Sequence, residues 1–172
     1  CGRCVPVCPV GALSLGSNGK ARIDRERCIG CFDCMNHCRS HGIEIDWEAD
    51  LTLFLERMAE YALGAVQGKG GKVGFMNFLL SITPDCDCAS LSDAPIVPDI
   101  GILASQDPVA IDAASFDLVN RQMGLAGSML EANLAPGEDK FQGLRSMTDG
   151  GKTLQYAEEI GLGSQQYELI EI

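Results

Sequence analysis

Cys28-Ile29-Gly30-Cys31-Phe32-Asp33-Cys34-Met35-Asn36-His37-Cys38 sets four cysteines within eleven residues, at spacings of two, two and three. The spacing of its last three cysteines recurs upstream, where Cys1-x2-Cys4-x3-Cys8 is followed by Pro9. An internal repeat of this kind is the first organising feature to find in a chain. Between the copies, Ala12-Leu13-Ser14-Leu15 and Lys20-Ala21-Arg22-Ile23-Asp24 alternate around Gly16-Ser17-Asn18-Gly19, the pattern of a β-hairpin. Gly42-Ile43-Glu44-Ile45-Asp46 resumes the alternation after the second copy.

Seven of the nine cysteines lie in these two runs. An odd total, tight runs and no secretory signal pattern favour metal over disulfides, and so a reducing compartment, the cytoplasm by default. A [4Fe–4S] cubane takes one thiolate at each of four irons. In two-cluster proteins the fourth cysteine of each run serves the other cluster. That rule assigns Cys8, Cys28, Cys31 and Cys34 to one complete site. Cys1, Cys4 and Cys38 make a second site one ligand short, which places the missing ligand three residues before Cys1, in an upstream part of the same polypeptide. Structural zinc sites pair two short knuckles across a longer spacer and fit this spacing poorly.

Asp46 reads as the N-cap of a long amphipathic helix carrying Trp47, Leu51, Phe54, Leu55, Met58, Tyr61, Ala62 and Ala65, closed by Gly68. A buried strand is expected over 72–80, a Pro- and Asp-rich loop over 83–99, and a second strand over 100–104. Asp107-Pro108 opens a further helix, with Asp at the N-cap and Pro at its first position. Its apolar positions are Val109, Ala113, Phe116, Leu118 and Met123, with Gly124 at its end. A short helix near 152–160 completes the chain. Strands alternating with helices from residue 46 suggest α/β pairing. The expected class is therefore α+β, with a cysteine-rich module over residues 1–46 and the C-terminal part of an α/β domain over residues 47–172.

The net charge of −11 is divided unevenly, with +1 on residues 1–46 and −12 on 47–172. So acidic a surface repels phosphate backbones, which excludes nucleic-acid binding as a function class. No apolar run reaches the roughly 20 residues of a membrane span. Cys86 and Cys88, with Asp85 and Asp87 between and before them, form a secondary candidate for a metal or a redox pair. The plainer reading is a packed loop. His37 and His41 flank Cys38 and read as solvated surface, since thiolates already complete the ligand set. The glycines of 68–74 precede a strand rather than a helix, and Gly151-Lys152-Thr153 lacks the first glycine of a phosphate loop, so neither reads as a nucleotide site.

Residues 1–46 resemble the dicluster bacterial ferredoxins, whose fold is a pseudo-symmetric β-α-β repeat; the resemblance implies a dicluster ferredoxin-like module, here truncated at its first strand. Arg39 stands after Cys38 where that family usually has Pro, so a longer helix or a changed hydrogen bond to sulfur is expected there. The cysteine region together with "FMNFLLSITPDCDC", "PIVPDIGILASQDPVAIDAASFDLVN" and "YAEEIGLGS" resembles, over essentially the whole chain, a large uncharacterised iron–sulfur family of anaerobic bacteria and archaea. That resemblance implies an α/β domain interrupted by a dicluster insert, and supplies no reaction. The expected function is one-electron transfer through two [4Fe–4S] clusters to a redox partner protein. The alternatives are an oxidoreductase or metal-dependent enzyme with its centre near Asp85–Cys88, catalytic residues unassigned, and clusters that are structural or sensory.

Overall fold

The computed structural model describes residues 1–44, 51–86 and 93–172. The chain divides into two units, Cys1–Ala49 and Asp50–Ile172.

In the first unit the run from Cys1 to Cys8 folds as successive turns and leads into strands β1 (Leu13–Leu15) and β2 (Ala21–Ile23). They pair antiparallel in the register Leu13↔Ile23, Ser14↔Arg22 and Leu15↔Ala21. The intervening glycines close the hairpin, with Gly16 N–H donating to Lys20 O at 2.8 Å and Gly19 N–H to Gly16 O at 2.9 Å. Helix α1 (Asp33–Asn36) carries Cys34 of the second cysteine run. Among the described residues of this unit the buried apolar side chains are Cys4, Ala12 and Leu13. So small a core supplies little hydrophobic stabilisation. Residues 42–44 are irregular, while 45 and 46, the end of the expected strand, lie outside the described residues.

The second unit contains α2 (Thr52–Val66), β3 (Phe75–Leu79), β4 (Gly101–Ser105), α3 (Pro108–Asn120), α4 (Lys140–Leu144) and α5 (Gly150–Glu159). Asp46 and Trp47 lie outside the described residues. The described helix begins at Thr52, with Leu51 in the capping position and no side-chain cap. Gly68, at φ 75°, takes the left-handed turn that ends it. β3 is shorter than the expected strand because the chain still turns through Lys69–Lys72, where Lys72 N–H donates to Lys69 O at 2.9 Å.

β3 and β4 pair antiparallel, Phe75 opposite Ser105 and Leu79 opposite Gly101. Parallel pairing needs a crossover, usually helical, and none is described between these strands, only a loop. One sheet face packs on α3: Leu79 and Leu103 meet Leu118 and Val119, and Asn77 Nδ2 donates to Asp112 Oδ1 at 2.8 Å and to Ser115 Oγ at 2.9 Å. The other face presents Met76, Phe78 and Ile102 to solvent. α3 is buried on several sides, and α2 and α5 pack together through Ala59 and Ala157.

Asp107 caps α3 as its sequence requires, accepting from Val109 N–H at 2.8 Å and Ala110 N–H at 3.0 Å. Met123 lies beyond the helix end and is exposed. α4 is too short to read from periodicity, and α5 starts two residues early because Asp149 accepts from Lys152 N–H. Lys140 is fully buried. Its Nζ donates to the carbonyls of Ala135 (2.7 Å), Glu138 (3.0 Å) and Asn120 (3.3 Å), the last being the C-terminal residue of α3. Among the described residues no helix is long and apolar enough to cross a membrane.

Candidate functional site

The cysteine repeat is also a repeat of backbone conformation. Gly2 and Phe32, thirty positions apart, are both left-handed, at φ 72° and 60°. Gly11 and His41, again thirty apart, sit at φ 59° and 48°. The hydrogen bonds follow the same offset. Val5 N–H donates to Gly2 O at 3.2 Å and Met35 N–H to Phe32 O at 2.9 Å. Cys8 N–H reaches Val5 O at 3.4 Å, as Cys38 N–H reaches Met35 O at 3.0 Å. The cysteine sulfurs close each copy: Ala12 N–H donates to Cys8 Sγ at 3.2 Å, and Gly42 N–H to Cys38 Sγ at 3.3 Å. Arg39 in place of Pro therefore leaves the bond to sulfur in position. Non-glycine residues pay about 1 kcal/mol for left-handed backbone, so Phe32 and His41 hold this shape at a cost.

Four of the predicted ligands come together. Cys8, Cys28, Cys31 and Cys34 line one small cavity. Its remaining wall is apolar: Val10, Ala12, Leu13, Ile23, Ile29 and Phe32. The seven N-terminal cysteines are all free thiols. Among the described residues no three Cys, His, Asp or Glu side chains converge as a single metal ion requires. The four thiols surround a space rather than a point. Cys38 borders a separate surface groove with Met35, Asn36, Arg39, His41, Ile43 and Glu44, which Cys1 and Cys4 do not line. Cys1 is exposed and Cys4 buried.

Electrostatics distinguish the sulfurs. Burial, the largest influence, pushes the Cys34 thiol above its ordinary value; the Met35 N–H opposes it, and the charges of Cys28 and Cys31 add to the rise. Thiolates this close repel one another unless a cation lies between them. At Cys8 burial also pushes upward, but the N–H groups of residues 10–13 outweigh it and the thiol lies below its ordinary value. At Cys38 the Ser40 hydroxyl leads, 3.6 Å from Sγ, and the Gly42 N–H assists in lowering it. Soft donors, N–H groups aimed at sulfur and an apolar enclosure fit an iron–sulfur cluster. His37 Nδ1 is engaged by Asp33 O at 2.9 Å, and the ring is exposed. Sequence reasoning missed Ala12, Ser40 and Gly42, although carrying the thirty-residue offset beyond the cysteines locates the two amides.

Asp85 forms an ion pair with Arg145 at 2.9 Å, and Cys86, exposed, is in a disulfide. Asp87 and Cys88 lie outside the described residues.

Duplicated thiolate loops around an antiparallel hairpin define a ferredoxin-type iron–sulfur module. The family model described as 4Fe-4S dicluster domain matches residues 1–43. The chain belongs to the family described as Domain of unknown function (DUF362), whose model matches residues 26–117, just over half of it. Among curated proteins, the thiosulfate reductase electron transfer subunit PhsB of Salmonella typhi is 47% identical over 38 residues, 22% of this chain and 20% of that one. Pyruvate synthase subunit PorD of Methanocaldococcus jannaschii is 42% identical over 43 residues, 25% of this chain and 50% of that one. A ferredoxin of Pyrobaculum islandicum is 47% identical over 38 residues, covering 22% and 36%. The chain thus spans half or less of the length of these relatives. No solved structure matches it.

Proposed function

We propose that the first unit is a one-electron carrier holding two [4Fe–4S] clusters. One is held by Cys8, Cys28, Cys31 and Cys34; the other by Cys1, Cys4, Cys38 and a ligand supplied from outside the sequence given. The observation that carries this reading is that Cys8, Cys28, Cys31 and Cys34 together line one small apolar cavity. Bound clusters supply reversible one-electron chemistry without making or breaking covalent bonds to a substrate.

The chain's own residues prepare that chemistry. The Ala12 and Gly42 amides donate to ligand sulfur, which stabilises the added negative charge of the reduced state. Ile23, Ile29 and Phe32 keep the site dry while staying partly exposed themselves, so a partner docked on them comes within a side chain's thickness of the cluster. The similarity to electron-transfer subunits and a ferredoxin supports a redox partner protein, and we place the carrier in the cytoplasm. A metal-dependent enzyme centred near Asp85–Cys88 draws less support, because Arg145 engages Asp85 and Cys86 is disulfide-bonded.

The test is iron and acid-labile sulfide analysis of anaerobically prepared protein, followed by EPR on reduction. Reversible S = 1/2 signals with near-equal iron and sulfide are expected. Zinc without iron would overturn the reading.

A further inference from the structure

Arg27 immediately precedes Cys28, yet its guanidinium crosses to the other half of the repeat. Nη2 donates to Val10 O at 2.6 Å, seventeen residues away. Val10 borders the four-thiol cavity, two residues after Cys8. The crossing needs space that the sequence provides: a Cβ on Gly11 would lie 3.2 Å from the same nitrogen, and Gly11 is left-handed at φ 59°. The carbonyl that Arg27 holds belongs to the short arc from Cys8 to Ala12, whose last N–H donates to Cys8 Sγ. One side chain therefore ties the lone cysteine contributed by the first run to the three contributed by the second. It also leaves a positive charge beside the cavity wall, at the Val10 carbonyl.

Resting on the cluster assignment above, we propose that Arg27 is the positioning residue of the Cys8–Cys28–Cys31–Cys34 site. It straps the two halves of the ligand set together, and its charge raises the reduction potential of this site. The redox step is one electron in from a chemical reductant or partner and one electron out, with no bond formed or broken. Net charge near the cluster is one of the levers that set its potential. The other described site has Arg39 beside Cys38, lining an open groove; both arginines are exposed, so water screens each charge.

The experiment compares the full chain with Arg27→Lys and Arg27→Gln under anaerobic conditions. It reads two quantities: the midpoint potential by EPR-monitored titration, and the rate of iron loss to a chelator. The signal of this site is the one that Cys31→Ser removes or alters. Arg27→Lys keeps the charge but loses the planar fork, so its midpoint stays near wild type while iron loss accelerates by about fivefold, the worth of one net hydrogen bond. Arg27→Gln loses both, so its midpoint moves negative and iron loss is at least as fast. Should Arg27→Gln fail to take up iron, the strap is supported, and the Arg27→Lys midpoint becomes the measure of charge. Unchanged potential and unchanged iron loss in a cluster-loaded Arg27→Gln chain would overturn the role of Arg27 alone. A wild-type chain without a [4Fe–4S] signal overturns the cluster assignment and this inference together.

Discussion

His41 holds φ 48° at the position where the first copy of the repeat has Gly11, and its imidazole is exposed. A β-carbon there costs about 1 kcal/mol that glycine avoids. His41→Gly is therefore expected to leave iron content unchanged and to raise the midpoint of thermal unfolding of the first unit slightly; loss of iron would show that the ring ligates the cluster. Lys140 is the opposite case, a charge the sequence presents as surface and the structure buries completely. Burial lowers the ammonium pKa, with Glu138 and Asp139 opposing. Lys140→Met leaves the carbonyls of Ala135, Glu138 and Asn120 without their shared donor, at an expected cost of about 2–4 kcal/mol, measured by denaturant unfolding. The cysteines were legible because ligand spacing is local and covalent. Lys140 was not, because its role depends on where α3 ends and the loop after residue 134 returns, a tertiary fact.

The same contrast holds among elements. The hairpin of β1 and β2 could be read from alternation and its glycine turn, and α3 from Asp107-Pro108, since each signal acts within a few residues. The ends of β3 and the start of α5 could not, because neighbouring turns and Asp149 decide them. Asp107 does more than its sequence position indicates. Its second oxygen accepts from Ser164 N–H at 2.9 Å, anchoring the C-terminal segment to the start of α3. Asp107→Asn is expected to keep the cap and lose the anchor, about 1 kcal/mol, and Asp107→Ala to lose both, about 2 kcal/mol, by chemical denaturation. Glu158 holds the same segment through Gln165 Nε2 at 2.9 Å, Gln165 N–H at 3.0 Å and Ser164 Oγ at 2.9 Å. These bonds, the Gln165 side chain first, depress its pKa below the ordinary 4.5. A carboxylate whose folded pKa is depressed binds fewer protons folded than unfolded. Its contribution is complete above the ordinary value and lost as pH falls through the depressed one. The protection factors of the Ser164 and Gln165 amides, taken relative to intrinsic exchange at each pH, should therefore fall on acidification below about pH 4.5. In Glu158→Gln they should be lowered already at neutral pH, and identical profiles would remove this anchor.

At the scale of the whole chain, the two units are stabilised by different physics. The second buries an apolar cluster of Leu79, Ile96, Val97, Val119 and Leu130 and carries a stacked pair, Phe116 and Phe141, with centroids 5.2 Å apart. The first buries Cys4, Ala12 and Leu13. A domain of this size without a larger core needs a metal or cross-links to offset chain entropy, and its cysteines are free thiols. Burial first, and then the charges of Cys28 and Cys31, raise the Cys34 thiol, so without iron the site disfavours the thiolate that ligation needs. Where the ligands bind metal only in the folded arrangement, binding energy becomes folding energy. Removing iron with a chelator under reducing conditions is therefore expected to abolish amide-exchange protection at Ala12 and Gly42, while Val119 and Ala157 keep theirs. Restoring iron and sulfide should return both amides together, because the thirty-residue repeat places each at the same station of its own copy. Protection that persists at Ala12 after complete iron removal would mean that the hairpin holds the first unit without its metal, and the clusters would then carry electrons on a scaffold they do not build.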